Sequence, residues 1–119
     1  MPWIYEQRTG IMTGPNGEEF QGYSGAPGFV NNPDAETRRG EGPIPRGHWT
    51  IDLRPYHGAV GPFSLRLAPD GHNAHGRTDF VIHGDRIGNP GTASEGCIIL
   101  PRAAREAIQR SGESRLIVR

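Results

Sequence analysis

Apolar and polar positions alternate along several short stretches of the chain. His48-Trp49-Thr50-Ile51-Asp52-Leu53 puts Trp49, Ile51 and Leu53 on one side of an extended backbone, and Phe63-Ser64-Leu65-Arg66-Leu67 repeats the pattern. A period of two predicts strands with one face in the core. Trp3-Ile4-Tyr5 and Ile11-Met12 predict an opening hairpin, and Gly14-Pro15-Asn16-Gly17 predicts a turn before Phe20, so the chain starts as a β-meander. Asp79-Phe80-Val81-Ile82-His83 predicts a mostly buried strand ending at His83. Ile98-Ile99-Leu100 is short and apolar, and Ser114-Arg115-Leu116-Ile117-Val118 predicts a terminal strand that closes the sheet. The period lengthens to that of a helix only over Arg102 to Arg110. Pro101 opens that helix, Ala103, Ala104, Ala107 and Ile108 form its inward stripe, and Ser111-Gly112 ends it.

Between these elements the chain is rich in turn formers. With 18 Gly and 11 Pro in 119 residues the composition approaches the disordered range, yet aromatic and β-branched residues are interleaved throughout, which predicts many turns between short strands. Tyr23 to Gly28 with Asn31-Asn32-Pro33 predicts a long loop, followed by one helical turn from Ala35 to Arg39. Gly42-Pro43-Ile44-Pro45-Arg46-Gly47 is a rigid, extended lead into the strand at His48. No repeat or linker divides the chain. The expectation is one domain over residues 1–119, mainly β (a β-rich α+β fold) with one helix in the C-terminal half.

Charge and composition then exclude several functions. All 13 basic residues are Arg, so neither a Schiff-base lysine nor a phosphate-binding Gly-Lys-Ser/Thr loop exists. The formal net charge is +0 with signs interspersed, unlike the basic face of a nucleic-acid binder, so no nucleic-acid partner is expected. Met-Pro-Trp-Ile-Tyr-Glu-Gln-Arg lacks the features of a signal peptide, and no run approaches the roughly 20 apolar residues of a membrane span. Synthesis in the cytoplasm, no membrane insertion and a monomer are the corresponding expectations. A single Cys permits no internal disulfide, which leaves a free thiol.

That thiol, Cys97, lies fourteen positions after His83 and directly follows Gly96. A lone Cys with a His in reach makes a nucleophile and its base, and glycine lets the backbone turn tightly and expose N–H groups to a reacting carbonyl. The Gly96 and Cys97 amides are therefore candidate oxyanion donors. The alternative is a small buried hydrophobe beside Ile98 and Ile99, with His83 a satisfied strand-end histidine. His72 and His75, in a Gly-rich loop, do not supply the three or four ligands of a zinc site, so they read as solvated histidines, and neither metal nor cofactor is expected.

Ile82-His83-Gly84 followed by Ser94-Glu95-Gly96-Cys97-Ile98 resembles the L,D-transpeptidase signature, in which a strand-end His-Gly precedes a Ser/Thr-x-Gly-Cys turn. Pro45-Arg46-Gly47-His48-Trp49-Thr50-Ile51 resembles that family's Pro-x-Gly-x-aromatic-x-Ile segment. Commoner members carry His before the Gly-Cys pair and Arg two positions after the Cys, where this chain has Glu95 and Ile99. The Ser-x-Gly-Cys form, with Trp3-Ile4-Tyr5, Gly22-Tyr23-Ser24-Gly25 and the Gly42 to Gly47 segment, resembles the branch used as antibacterial effectors of type VI secretion.

The resemblance implies a small L,D-transpeptidase-like β-sandwich or barrel acting on peptidoglycan stem peptides. Cys97 would attack the carbonyl before the terminal D-alanine of a tetrapeptide stem and form a thioester, with His83 activating the thiol and protonating the leaving amine. Water would then give carboxypeptidase activity, and a D-amino acid would give exchange. A backbone carbonyl or the Ser94 hydroxyl would orient the imidazole, with Asp85 as the alternative. Arg46, Arg77 and Arg86, near the motifs, are candidates for the substrate's carboxylates, and Tyr23, Ser24, Gly84 and Asp85 for the lining of the cleft. Secretion machinery, a periplasmic immunity protein and action in the periplasm of target cells complete the expectation. A cysteine peptidase or amidase of other specificity, or a non-catalytic wall-binding domain, are the alternatives.

Overall fold

The computed structural model describes all residues 1–119. Ten strands form one mixed sheet: β1 (Trp3–Tyr5), β2 (Ile11–Thr13), β3 (Glu19–Gln21), β4 (Tyr23–Ser24), β5 (Gly47–Ile51), β6 (Tyr56–Gly58), β7 (Gly61–Asp70), β8 (Val81–His83), β9 (Ile98–Ile99) and β10 (Arg115–Val118). A single helix, α1 (Arg102–Ser111), completes the β-rich α+β fold. The strands lie in the order β3-β2-β1-β10-β5-β7-β8-β9-β4, with β6 paired to β7 alone. The ends of this path, β3 and β4, are separated in the chain only by Gly22, so the sheet curls until its two edges meet. Gly22 permits this because a Cβ there would collide with the Ile99 carbonyl oxygen.

The alternating strands put their apolar faces inside this curl. Trp49 and Ile51 of β5, Leu65 of β7, Ile82 of β8, Ile98 of β9 and Leu116 of β10 are all buried in one cluster with Trp3, Tyr5 and Met12. Trp49 is fixed from three sides: its indole N–H donates to the Pro45 carbonyl at 3.0 Å, and its ring meets those of Phe80 and His72 edge-on at 5.0 and 5.1 Å. The C-terminal strand β10 does not close an edge. It lies inside the sheet, parallel to β1 and antiparallel to β5.

Several local expectations shift. β7 is ten residues long and continues beyond Leu67, because Ala68 to Asp70 pair with β5, while Leu65 and Arg66 pair with β8. The strand expected from Asp79 begins at Val81, since Asp79 adopts φ +67°, outside the extended region. The turn expected over Ala35 to Arg39 is a short 3₁₀ segment at Pro33–Ala35, with the Asn32 side chain accepting from the Asp34 N–H. On α1, Ala104 and Ile108 face the core, whereas Ala103 is exposed and Arg105 is buried in its place. Arg105 folds inward because its guanidinium donates to the carbonyls of Leu100, Pro62 and Phe63 at 3.2, 2.8 and 3.1 Å. Gly112, at φ +70°, ends the helix in the left-handed conformation glycine favours. No helix is long and apolar enough to cross a membrane.

Candidate active site

The parallel pairing of β8 with β9 brings His83 and Cys97 together. Ile82 is opposite Ile98 and His83 opposite Ile99, so the ladder extended by one residue sets Cys97 opposite Val81. Alternate residues share a face, which puts His83 and Cys97 on the same side of the sheet, one strand across (about 4.8 Å) and two residues along (about 6.6 Å). Both side chains line one cleft of about 520 Å³ with Arg39, Thr78, Asp79, Phe80, Arg86 and Glu95. Cys97 is half-buried and free.

The imidazole is oriented by a backbone carbonyl. His83 Nδ1 lies 2.8 Å from the Gly84 oxygen, an acceptor only, so Nδ1 carries the hydrogen and Nε2 keeps its lone pair. Burial lowers the pKa of His83, with the nearby Arg105 charge adding to it, so the ring is neutral at pH 7. Burial pushes the Cys97 thiol up, as do the Glu95 and Asp79 charges, against the Val81 N–H and the Arg77 charge, which favour thiolate. Thiol and imidazole are thus a neutral pair at rest. The thiol points at the Asp79 carbonyl oxygen, 3.7 Å away.

The two peptides that lead into Cys97 are anchored. The Ser94 hydroxyl donates to the Cys97 carbonyl at 2.7 Å and accepts from the N–H groups of Gly96 (3.0 Å) and Gly25 (2.9 Å). The Glu95 carbonyl accepts from Arg77 at 3.2 Å, and the Gly96 carbonyl from Ser24 Oγ at 3.0 Å. The Gly96 N–H, one of the two expected oxyanion donors, is therefore occupied inside the turn. The Cys97 N–H, on the opposite side of its peptide from the Ser24-bound carbonyl, donates to no protein group. Gly96 has φ +142°, and a Cβ there would lie 2.5 Å from Arg77 Nη2 and 3.1 Å from the Phe80 ring.

The remaining residues expected at the site are spread more widely. Ser24 is fully buried and joins the Gly96 carbonyl to the Ile44 N–H, which it accepts at 2.8 Å. Tyr23, Gly84 and Asp85 line a second cavity of about 560 Å³ adjoining the strand end at Gly84. Tyr23 Oη donates to Asp85 Oδ1 at 2.7 Å and accepts from the Ala93 N–H at 3.0 Å; Asp85 also accepts from the Arg86 and Gly91 N–H groups, bracing the 85–91 loop. Arg46 is exposed, away from the cleft, and pairs with Glu36 at 3.0 Å. Arg77 lines the cleft but is buried, with both terminal nitrogens donating to backbone carbonyls.

Arg39, Asp79 and Glu95 line the cleft without having been singled out from the sequence as site residues. Arg39 gave no signal there, because its position follows from packing of the 36–43 loop, 58 residues before Cys97. Asp79 is the better-marked omission: an Asp two residues before a β-branched run tolerates the left-handed region, where its carbonyl turns towards the thiol. His72 accepts the Ala74 N–H at Nδ1 and contacts the His48 carbonyl through Nε2, while His75 faces Glu36, so both are tied into loop structure. No three His, Cys, Asp or Glu side chains converge as a metal site.

Among curated proteins no sequence matches this chain. The sequence model of the Tlde1 domain matches residues 18–116, which spans β3 to β10 and includes both His83 and the Ser94–Cys97 turn. With the match covering most of its length, the chain belongs to the Tlde1 domain family, an L,D-transpeptidase-like family of type VI secretion effectors directed at peptidoglycan.

Proposed function

We propose that the protein is a cysteine acyl-transfer enzyme that removes or exchanges the terminal D-alanine of peptidoglycan tetrapeptide stems. One observation carries the reading: the Gly84 carbonyl leaves His83 Nε2 as a proton acceptor in the cleft that Cys97 lines, beside a Cys97 N–H with no partner in the protein. The thiol leaves the Asp79 carbonyl and gives its proton to Nε2 as sulfur bonds to the stem carbonyl. The resulting oxyanion accepts from the Cys97 N–H. Collapse breaks the C–N bond, and imidazolium protonates the departing D-alanine amine. Water, deprotonated by the same imidazole, then cleaves the thioester to a carboxylate and restores the thiol. A D-amino acid amine taking the place of water completes exchange.

The substrate's carboxylates need cations that the protein itself does not neutralise. Arg39 and Arg86 both line the cleft and neither has a carboxylate within ion-pair distance. They fit this role better than Arg46, which is paired elsewhere, or Arg77, whose donors are taken. Delivery by secretion machinery into the periplasm of a target cell, and protection of kin by a periplasmic immunity protein that occludes Cys97, follow from the same reading.

Purified muropeptides incubated with wild type and with Cys97→Ala, analysed by mass spectrometry, test it. Wild type is expected to shorten tetrapeptide stems by one alanine or to replace it, and Cys97→Ala to leave them intact. D-alanine release that persists in Cys97→Ala overturns the nucleophile, and cleavage of another bond overturns the specificity.

A further inference from the structure

Arg77 is one of the chain's least expected features. It precedes β8, is 6% exposed, and has no carboxylate partner, yet an unpaired buried guanidinium is costly unless its hydrogens are satisfied. Here the satisfaction is all backbone: Nη1 donates to the carbonyls of Glu36 (2.6 Å) and Pro43 (2.9 Å), and Nη2 to those of Gly42 (2.9 Å) and Glu95 (3.2 Å). The carbonyls cancel none of the formal charge. The guanidinium carbon stands 5.1 Å from the centre of the Phe80 ring, and Gly96 packs so closely on it that only a hydrogen fits.

The Glu95 contact matters most. The peptide between Glu95 and Gly96 is held at its carbonyl by Arg77 and at its N–H by Ser94. With that plane set and the next carbonyl held by Ser24, the two peptides leading into Cys97 are both fixed, and the Cys97 side chain lines the cleft. The same guanidinium lines the cleft beside Cys97 and is itself buried, so bulk water screens its charge less than that of an exposed arginine.

We propose that Arg77 is the positioning residue of the nucleophile: it sets the Glu95–Cys97 backbone and supplies the buried positive charge that the Cys97 thiolate needs as it attacks. This rests on Cys97 being the nucleophile, and it deepens that reading by naming what stabilises its charged form. The opposing influences on the thiol are consistent with it, since burial, Glu95 and Asp79 disfavour thiolate, while the Val81 N–H and then the Arg77 charge favour it. A fork is required as well as a charge, because the single nitrogen of a lysine ammonium cannot hold the Glu36 and Pro43 carbonyls bound by Nη1 together with the Gly42 and Glu95 carbonyls bound by Nη2.

Two readouts on the purified full chain test the proposal. Iodoacetamide alkylation of Cys97 against pH reports the thiolate without any peptidoglycan substrate, and D-alanine release from muropeptides reports turnover. Arg77→Gln is expected to slow alkylation near neutral pH by about tenfold, the equivalent of one pH unit. Arg77→Lys is expected to keep the alkylation profile near wild type while lowering kcat for release by about tenfold with KM little changed. Arg110→Gln, an exposed charge change at the end of α1, is the control and should alter neither. An Arg77→Gln protein with wild-type circular dichroism and an unchanged alkylation profile overturns the proposal. Should that variant not fold, the Arg77 Nε resonance of wild type decides: it is expected to titrate with the midpoint of Cys97 alkylation, and a flat signal overturns the assignment. Normal alkylation without D-alanine release by wild type would instead defeat the proposed reaction and leave Arg77's effect on the thiol measurable.

Discussion

At the scale of single residues, the chemistry depends on neutral groups held in fixed orientations. Because burial lowers the His83 pKa from its ordinary 6.5, the base stays unprotonated to a more acidic pH than a solvated imidazole would. The acid limb of kcat/KM for D-alanine release is therefore expected to have its midpoint below 6.5, and a midpoint above that value would mean another group is titrating. Linkage carries the same sign into folding. His83 costs no stability above pH 6.5, but the folded state loses stability as pH falls below that value, because the unfolded chain binds the proton more readily. Ser94 is the other residue whose role the geometry defines. Its hydroxyl satisfies three backbone groups, so Ser94→Ala leaves buried peptides unpaired. A loss of about 1–3 kcal/mol in urea unfolding is expected, with D-alanine release reduced at least as much as by misplacing the turn.

At the scale of elements, the parallel β8–β9 pair is the frame of the site, and its ends matter more than its length. Three and two residues suffice because β7 and β4 flank them and Leu100 donates to the His83 carbonyl at 3.0 Å, holding the strand end in place. Gly96→Ala attacks the approach to β9. Its φ of +142° and the Arg77 nitrogen 2.5 Å from a Cβ make alanine unacceptable both locally and sterically. Expected results are loss of D-alanine release together with a lower unfolding midpoint; a fully active Gly96→Ala would mean that the turn relaxes freely. Tyr23-Ser24 illustrates why short strands escape a sequence reading. Glycines bracket it, and its extended form comes from pairing with Ile98 and Ile99, more than seventy residues away. The exchange of Ala103 for Arg105 on the buried side of α1 has a similar origin, since unpaired carbonyls at Leu100, Pro62 and Phe63 attract the guanidinium inward.

At the scale of the molecule, long-range polar ties join segments that the strand ladder leaves loose. Glu36 is the hub of one such set, accepting from Gln7, Arg46 and His75. Burial alone would raise its pKa, but these hydrogen bonds outweigh it and hold the carboxyl down at about 2. The stabilisation is complete above the ordinary value of 4.5 and is lost as pH falls from there towards about 2. Urea midpoints measured at pH 5 and pH 3 are expected to drop further for wild type than for Glu36→Gln, and equal drops would remove Glu36 from the acid response. The core answers to a different force. Trp49 is 1% exposed and touches rings on two sides, so Trp49→Ala is expected to lower stability by about 3–5 kcal/mol.

The sequence by itself determined the class of fold, because alternation in His48 to Leu53 and Phe63 to Leu67 and the single helical period after Pro101 are local properties that burial of one face enforces. It also singled out His83 and Cys97, since few other side chains in the chain can perform nucleophilic chemistry. Tertiary structure decided what those two residues face. Gly84 rather than Ser94 orients the imidazole, the Gly96 N–H is spent inside its own turn, and Arg77 is buried against the Glu95 carbonyl while Arg39 arrives from a distant loop. Hydrogen-bond partners of this kind are set by which carbonyls and amides the curled sheet leaves unpaired. That outcome belongs to the assembled backbone and to no local pattern.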